Sequence, residues 1–185
     1  MKIFINNGHD AKRTIGGIPV DAGATNKTHN AYECDIVAVI GEYVRSYLYE
    51  AGHVVSVKQD DALTELCNEA NSNRMDLFVS IHCNACDCNA SGTECWYYPG
   101  SDKGKELADL INKEISATFP QLPNRGIKEE GVRFGVLRLT NMPSVIVECA
   151  FIDCESDYYL LVNNAREFGE AIANGIIKYC IGKGR

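Results

Sequence analysis

The strongest constraint on this chain is a repeated exchange between two hydrophobic periods. Strand-like runs at Lys2–Asn6, His53–Lys58, Leu77–Ile81, Glu94–Tyr98, Val136–Leu139 and Ser144–Glu148 are interleaved with helix-period segments. The helical segments are Glu33–Ala51, Leu63–Asn73, Lys103–Ala117 and Arg166–Ile181, and the first carries Ile36, Val37, Ile40, Val44 and Leu48 on one side, with Gly52 as its stop. Several strand runs are apolar throughout, as expected of strands buried on both faces. The pattern predicts a single α/β domain over residues 1–185, with a mostly parallel central sheet flanked by helices. Gly16–Asn30 and Gln121–Gly131 read as long loops inside that domain.

Composition narrows the function. With 185 residues the chain can bury one continuous core without disulfide or metal staples. No apolar run approaches the roughly 18 residues of a membrane span. Met1-Lys2 leads straight into a strand pattern with no apolar h-region, so the reading is synthesis in the cytoplasm without a signal peptide. A formal charge of −7 argues against nucleic acid as a partner, because phosphate binding draws on clustered cations. Nine cysteines, an odd number in a domain of this size, read as mostly free thiols from a reducing compartment.

In an α/β domain, ligands bind where loops leave the carboxyl ends of the strands. His9 follows the first strand in Asn6-Asn7-Gly8-His9, and His82 ends the third in Val79-Ser80-Ile81-His82. Glu33 stands at the start of the first long helix, and Glu148 ends an apolar strand, where a charge needs a partner. Two histidines and one carboxylate leave one position of a zinc tetrahedron open, as a hydrolytic site requires. A second carboxylate, off the metal, must then move a proton from water to a departing nitrogen, and Glu148 is the candidate.

These residues lie in stretches that resemble the zinc-dependent N-acetylmuramoyl-L-alanine amidases of the amidase-3 family. The stretches are Gly8-His9; Asp21-Ala22-Gly23-Ala24 with Glu33; Ser80-Ile81-His82-Cys83-Asn84-Ala85; Gly92-Thr93-Glu94 with Trp96, Tyr97 and Tyr98; Asn124-Arg125-Gly126; Val136-Leu137-Arg138; and Met142 to Ile152. The resemblance implies one zinc ion bound by His9, Glu33 and His82, with Glu148 as catalytic acid/base. It implies hydrolysis of the amide joining the lactyl group of N-acetylmuramic acid to L-alanine of the stem peptide, with peptidoglycan as the partner. The family often opens with Asp-x-Gly-His-Gly-Gly, whereas Asn6 stands here in place of the acid and Asp10-Ala11 in place of the glycines, so the support of His9 is expected to differ. Ala150 and Asp153 depart from the family's Gly and Asn in the loop after Glu148.

Some cell-division relatives carry an inserted helix that blocks the zinc; Ala85–Gly92 and Tyr98–Lys103 are too short to hold one. An open site controlled by delivery follows, as in a phage-type endolysin released to the cell wall. Arg138 is the candidate to meet a substrate carboxylate or the developing oxyanion. His29 is the substitute ligand should Glu33 not serve, and His53 matches no family ligand. Cys83, Cys86 and Cys88 lack the second cysteine pair of a structural zinc site, and Cys83 and Cys149 are expected to pack inward beside the site. Two other activities fit the same residues: a zinc peptidase cutting within the stem peptide, and a wall-binding module without catalysis.

Overall fold

The computed structural model describes residues 1–15, 18–60 and 62–184, with the backbone alone for 11–15 and 18–20. The chain runs β1 (Lys2–Asn7), β2 (Asp10–Ile15), β3 (Ile18–Asp21), β4 (Thr25–Asn26), β5 (Ala31–Tyr32), α1 (Glu33–Glu50), β6 (Val54–Gln59), α2 (Leu63–Ser72) and β7 (Leu77–Asn84). It continues through β8 (Thr93–Tyr97), α3 (Asp102–Thr118), β9 (Asn124–Glu129), α4 (Gly135–Leu139), β10 (Ser144–Phe151), α5 (Glu155–Asn163) and α6 (Ala165–Gly182). Six strands form the central sheet in the order β6-β1-β7-β10-β8-β9. Strands β6, β1, β7 and β10 are parallel; β8 runs antiparallel to β10, and β9 runs with β8. The expected α/β class with a mostly parallel sheet is the observed one.

Side-chain alternation along the strands divides the core in two. Ile3, Ile5, Leu77, Val79, Ile81, Val145 and Val147 pack with buried residues of α1, α3 and α6. The opposite face carries Phe4, Phe78 and Ile146 under Leu66, Cys67 and Ala70 of α2 and Val136 and Leu137 of α4. Register puts Phe4 beside Phe78, and their rings stack with centroids 5.1 Å apart. Burying each such ring contributes about 1.5–3 kcal/mol. This second face has a direction. Toward the N-terminal ends of its strands it is aromatic and aliphatic, whereas toward the C-terminal ends of β1, β7 and β10 it turns polar, with Asn6, Ser80, His82 and Glu148.

Three expectations need correction. Val136–Leu139 is helix α4, not a strand: a four-residue apolar run has no period of its own, and here Val136 and Leu137 are buried while Arg138 and Leu139 face out. The expected loop Gln121–Gly131 contains β9, an edge strand whose charged, half-buried residues carry no apolar signature. Of the expected loop Gly16–Asn30, residues 16 and 17 lie outside the described residues, and the remainder carries β3 and β4. Helix α5 also escaped the pattern, since only Asp157 and Leu161 of its nine residues are buried. All nine cysteines are present as thiols, and Cys83 and Cys149 pack inward among aliphatic residues.

The helical layer is tight where α6 crosses α3. A Cβ on Gly175 would lie 2.6 Å from the Cα of Ile111 and 2.8 Å from its nitrogen. Both atoms are backbone and cannot step aside. Alanine is the better helix former by about 1 kcal/mol, yet overpacking costs about 1–3 kcal/mol. Gly175→Ala is therefore expected to lower the urea midpoint; an unchanged or raised midpoint would show that α6 is free to shift away from α3.

Candidate metal centre and active site

Three elements deliver the polar groups to one place. β1 ends at Asn7, and the chain turns sharply through Gly8 and His9, whose φ of 63° is a left-handed conformation that a non-glycine residue adopts only under constraint. β7 contributes His82 from the polar end of the second sheet face. Glu33 enters from the opposite direction, as the first residue of α1, and is 2% exposed. One ligand atom from each of His9, Glu33 and His82 can be chosen so that all three lie within 4.8 Å of one another.

Hydrogen bonding fixes which atoms face inward. His9 Nδ1 donates to Asp21 Oδ1 at 2.7 Å, which leaves Nε2 as the nitrogen that faces Glu33 Oε2, 3.3 Å away. At His82 the polarity is set by a chain of donors. Asn6 Nδ2 donates to the carbonyl of Asn7, so its Oδ1 accepts the Ser80 hydroxyl proton at 2.7 Å. The occupied hydroxyl can then only accept from His82 Nε2, 3.1 Å away. The remaining nitrogen of His82, Nδ1, faces Glu33 Oε1 at 2.9 Å. Both imidazoles thus present an inward nitrogen while an outer hydrogen bond holds the ring, the arrangement that orients metal-binding histidines. Asn6 supports His82 through Ser80, and the carboxylate behind His9 comes from Asp21.

Glu33 is anchored as firmly: its Oε2 accepts from the Ala24 amide at 2.7 Å and its Oε1 from the Cys83 amide at 2.8 Å. Its neighbours leave no room for change. A Cβ on Gly8 would overlap the His82 ring, and one on Gly23, itself at φ 68°, would collide with His9 and Glu33 Oε2. Burial disfavours the charge on Glu33, but hydrogen bonds from His82 and His9 hold its carboxyl well below the usual carboxylate range. Burial likewise works against a charged His9, and the Glu33 and Asp21 carboxylates override it, so that its pKa rises to about 9. The donor set, two imidazoles with a carboxylate, suits a zinc-like cation and leaves a coordination position open.

Glu148 stands across the strand pair from His82, in register with it, and is 8% exposed. Its Oε2 is buried with no hydrogen-bond partner. Burial pushes its pKa up to about 7, against the nearby His82. A cavity of about 200 Å³ opens over these groups, with His9, His82 and Glu148 in its lining beside the apolar Leu63, Phe134, Val136 and Ile146. Segment 85–92 holds turns and no helix, and of Tyr98–Lys103 the first four residues hold a turn before α3 begins at Asp102.

The structure brings His9, Glu33, His82 and Glu148 together. Arg138 it places apart, exposed on α4 and outside the lining of this cavity. The cation that the cavity does present is Arg133, which sequence reading passed over because nothing in its local pattern separates it from a solvated loop residue. His29 pairs instead with Glu155 and stacks on Tyr158, and His53 meets the N-terminal amine. Asp21 and Ser80 were visible in sequence only as members of motifs; their support of the two histidines is a tertiary fact.

A family model described as N-acetylmuramoyl-L-alanine amidase matches residues 3–178. The N-acetylmuramoyl-L-alanine amidase LytC of Bacillus subtilis is 32% identical over 96% of this chain, which spans 35% of that protein. The endolysin of Bacillus phage SPP1 is 30% identical over 94% of this chain, which spans 64% of it. Among solved structures, the N-acetylmuramoyl-L-alanine amidase from Clostridium difficile 630 superimposes with a TM-score of 0.86 and 32% identity, covering 99% of this chain and 98% of that one.

Two outcomes follow from the geometry. Asp21→Ala and Ser80→Ala should each weaken zinc or cobalt binding by about 10–100-fold while the fold persists; undiminished affinity in calorimetric titration would detach those side chains from the centre. Because a bound cation must displace the proton that His9 holds below about pH 9, apparent affinity should climb by up to about tenfold per pH unit as pH rises toward that value. The sign is opposite for the metal-free fold, where the His9 pairing contributes fully below its ordinary value of 6.5 and is lost as pH rises through about 9.

Proposed function

The chain belongs to the N-acetylmuramoyl-L-alanine amidase family, and on that premise we propose that it uses one zinc ion, held by His9, Glu33 and His82, to cut peptidoglycan. The bond is the amide between the lactyl group of N-acetylmuramic acid and L-alanine, and the products are free stem peptide and peptide-stripped glycan. The observation that carries the mechanism is Glu148: a buried carboxyl in register with a metal-facing histidine, with an oxygen that nothing else occupies.

Zinc supplies Lewis acidity when bound, lowering the pKa of water to about 7 and polarising a carbonyl. The chain's own residues do the rest. Glu148 accepts a proton from the attacking water at its unpartnered Oε2 and returns it to the leaving nitrogen, which departs as an amine. A pKa raised by burial suits a group that must both take and give that proton near neutrality. Asp21 and Ser80 hold the imidazole rings in the required tautomers. The apolar walls from Leu63, Phe134 and Val136 restrict water around the scissile bond.

The relatives support a role at the cell wall, and no helix among the described residues is long and apolar enough to cross a membrane. We read residues 1–185 as one catalytic domain that acts on the wall after release, its site open without an activator. Glu148→Gln should lower kcat by about 10²–10⁴ with zinc content unchanged. Mass spectrometry of digested peptidoglycan tests the whole reading. Stem peptides beginning with a free L-alanine should appear with the zinc-loaded chain, vanish on chelation and return with zinc. Peptides cut elsewhere would make the protein a peptidase, and a zinc-loaded protein that binds wall but releases nothing would be a binding module.

A further inference from the structure

Neither the metal centre nor the proposed chemistry uses any of the nine cysteines, and exposure sorts them. Six are buried and Cys154 is half-buried, whereas Cys86 and Cys88 are exposed in the connection between β7 and β8. These two stand first and third in a four-residue turn, Cys86-Asp87-Cys88-Asn89, closed by the Asn89 amide donating to the Cys86 carbonyl at 2.9 Å. Both central residues are left-handed, with φ 46° at Asp87 and 59° at Cys88. That is the type I′ pattern, in which glycine, asparagine and aspartate are at home and cysteine is not. Something outside the turn must therefore hold Cys88 in place. Asp153, two residues past the end of β10, does so: its Oδ2 accepts from the Cys86 and Cys88 amides, each at 2.9 Å. Left-handed backbone that turns neighbouring amides onto one anion forms such a cradle. Farther along the same connection, Asp157 accepts from the Ser91 hydroxyl at 2.6 Å and the Gly92 amide at 2.9 Å, so the segment is clamped at two points. Cys86, Cys88 and Asp153 line one open cavity of about 540 Å³ together with β4. Cys154 lies outside that lining, with its Sγ 3.4 Å from the Ser156 hydroxyl.

We propose that Cys86 and Cys88 form a reversible dithiol–disulfide pair, a modification site that low-molecular-weight disulfides oxidise and thiols reduce, with Asp153 as its positioning residue. One cysteine thiolate attacks a sulfur of the small disulfide, which forms a mixed disulfide and releases one small thiol. The second thiolate then attacks the protein-bound sulfur, closes the Cys86–Cys88 bond and expels the other small thiol. The pair gives up two electrons and two protons, and the small disulfide takes them up as its two thiols. Reach permits the bond. Two residues in extended backbone span about 7 Å, and a tight turn shortens that into the window of about 4.4–6.8 Å between Cα atoms that a disulfide bridges. Because the turn is already ordered by Asp153, closing the ring fixes little further chain. A bridge across a single intervening residue also constrains the unfolded chain very little, so it is no stabilising staple. Exposed and confined to a small ring, it belongs with the bridges that are readily reduced. Passage from a reducing cytoplasm to the cell surface, the course proposed above, crosses the conditions in which such a pair changes state. That setting rests on the cell-wall reading; the thiol chemistry stands without it.

The test equilibrates the full, zinc-loaded chain with mixtures of oxidised and reduced glutathione, followed by an acid quench, alkylation with N-ethylmaleimide and peptide mapping by mass spectrometry. As the mixture becomes more oxidising, Cys86 and Cys88 should lose alkylation together. The peptide that carries both should become lighter by two hydrogen atoms than its reduced form, and dithiothreitol should restore it. Cys88→Ser should instead leave Cys86 as a glutathione adduct. Asp153→Ala should move the half-oxidation point about tenfold toward more oxidising mixtures, since the turn loses both of its charge-assisted hydrogen bonds. Asp153→Asn keeps an acceptor oxygen and should stay near the unaltered chain, a rescue that general destabilisation would not give. The measurement on the unaltered chain needs no variant to fold. Separate glutathione adducts on Cys86 and Cys88, a bridge to Cys154, a disulfide-linked dimer, or thiols that stay open to alkylation in fully oxidised glutathione would each overturn the pair. An unmoved half-oxidation point in Asp153→Ala would overturn the role of Asp153.

Discussion

One buried carboxylate ties this structure together. Glu33 begins α1, yet its oxygens accept amide protons from Ala24, before the helix, and from Cys83, fifty positions along the chain on β7. The same oxygens face the inward nitrogens of His9 and His82. A charge that is 2% exposed would be costly alone. Here four groups from three segments compensate it, so α1, the turn after β1 and the end of β7 are held in one arrangement. Gly8 and Gly23 follow from the same constraint, since any side chain there would enter the space that the rings and the carboxylate need.

The wider architecture makes that arrangement possible by treating the two sheet faces differently. One is apolar along most of its length, polar where Asn7 meets Gly41 of α1, and carries the bulk of the core. The other is apolar only near the N-terminal ends of its strands, where Phe4, Phe78 and Ile146 pack under α2 and α4. Stability is therefore concentrated away from the groups that must stay polar. Across the polar end runs a row of ionisable side chains, His82, Glu148 and Glu94, on adjacent strands. Their surroundings separate their behaviour. Glu94 resists burial because Lys128 and Arg125 keep it ionised, whereas Glu148, buried without such partners, is driven up to about 7. Two glutamates on neighbouring strands thus differ in kind: Glu94 is a structural anchor, and Glu148 keeps an unpartnered oxygen for the proton transfer proposed above.

The departure at Asn6 shows how a local change is absorbed. An acid at that position would confront the Ser80 hydroxyl with charge in a site 1% exposed. The amide instead divides its roles, donating to the Asn7 carbonyl and accepting from Ser80, and so sets the direction of the chain of hydrogen bonds that ends at His82. The carboxylate behind His9 is Asp21, from the far end of β3.

The α/β class and the four central residues were legible in the sequence. Apolar runs such as Val145-Ile146-Val147 announce buried parallel strands, and His82 and Glu148 stand out as polar residues that interrupt such runs, although β7 and β10 continue past them to Asn84 and Phe151, while His9 follows β1 by two residues. Elements without such a pattern stayed hidden: β9 is an edge strand of charged residues, and α4 is too short for its period to register. What tertiary structure alone decided is which distant groups face one another. That Asp21 serves His9, that Asn6 acts through Ser80, and that Arg133 rather than Arg138 lines the catalytic cavity depend on strand order and register. The physical reason is that periodicity records which side of an element meets the core, an average property of each segment. A hydrogen bond or an ion pair between residues far apart in the chain depends on angstrom-scale placement, which only the packed sheet supplies.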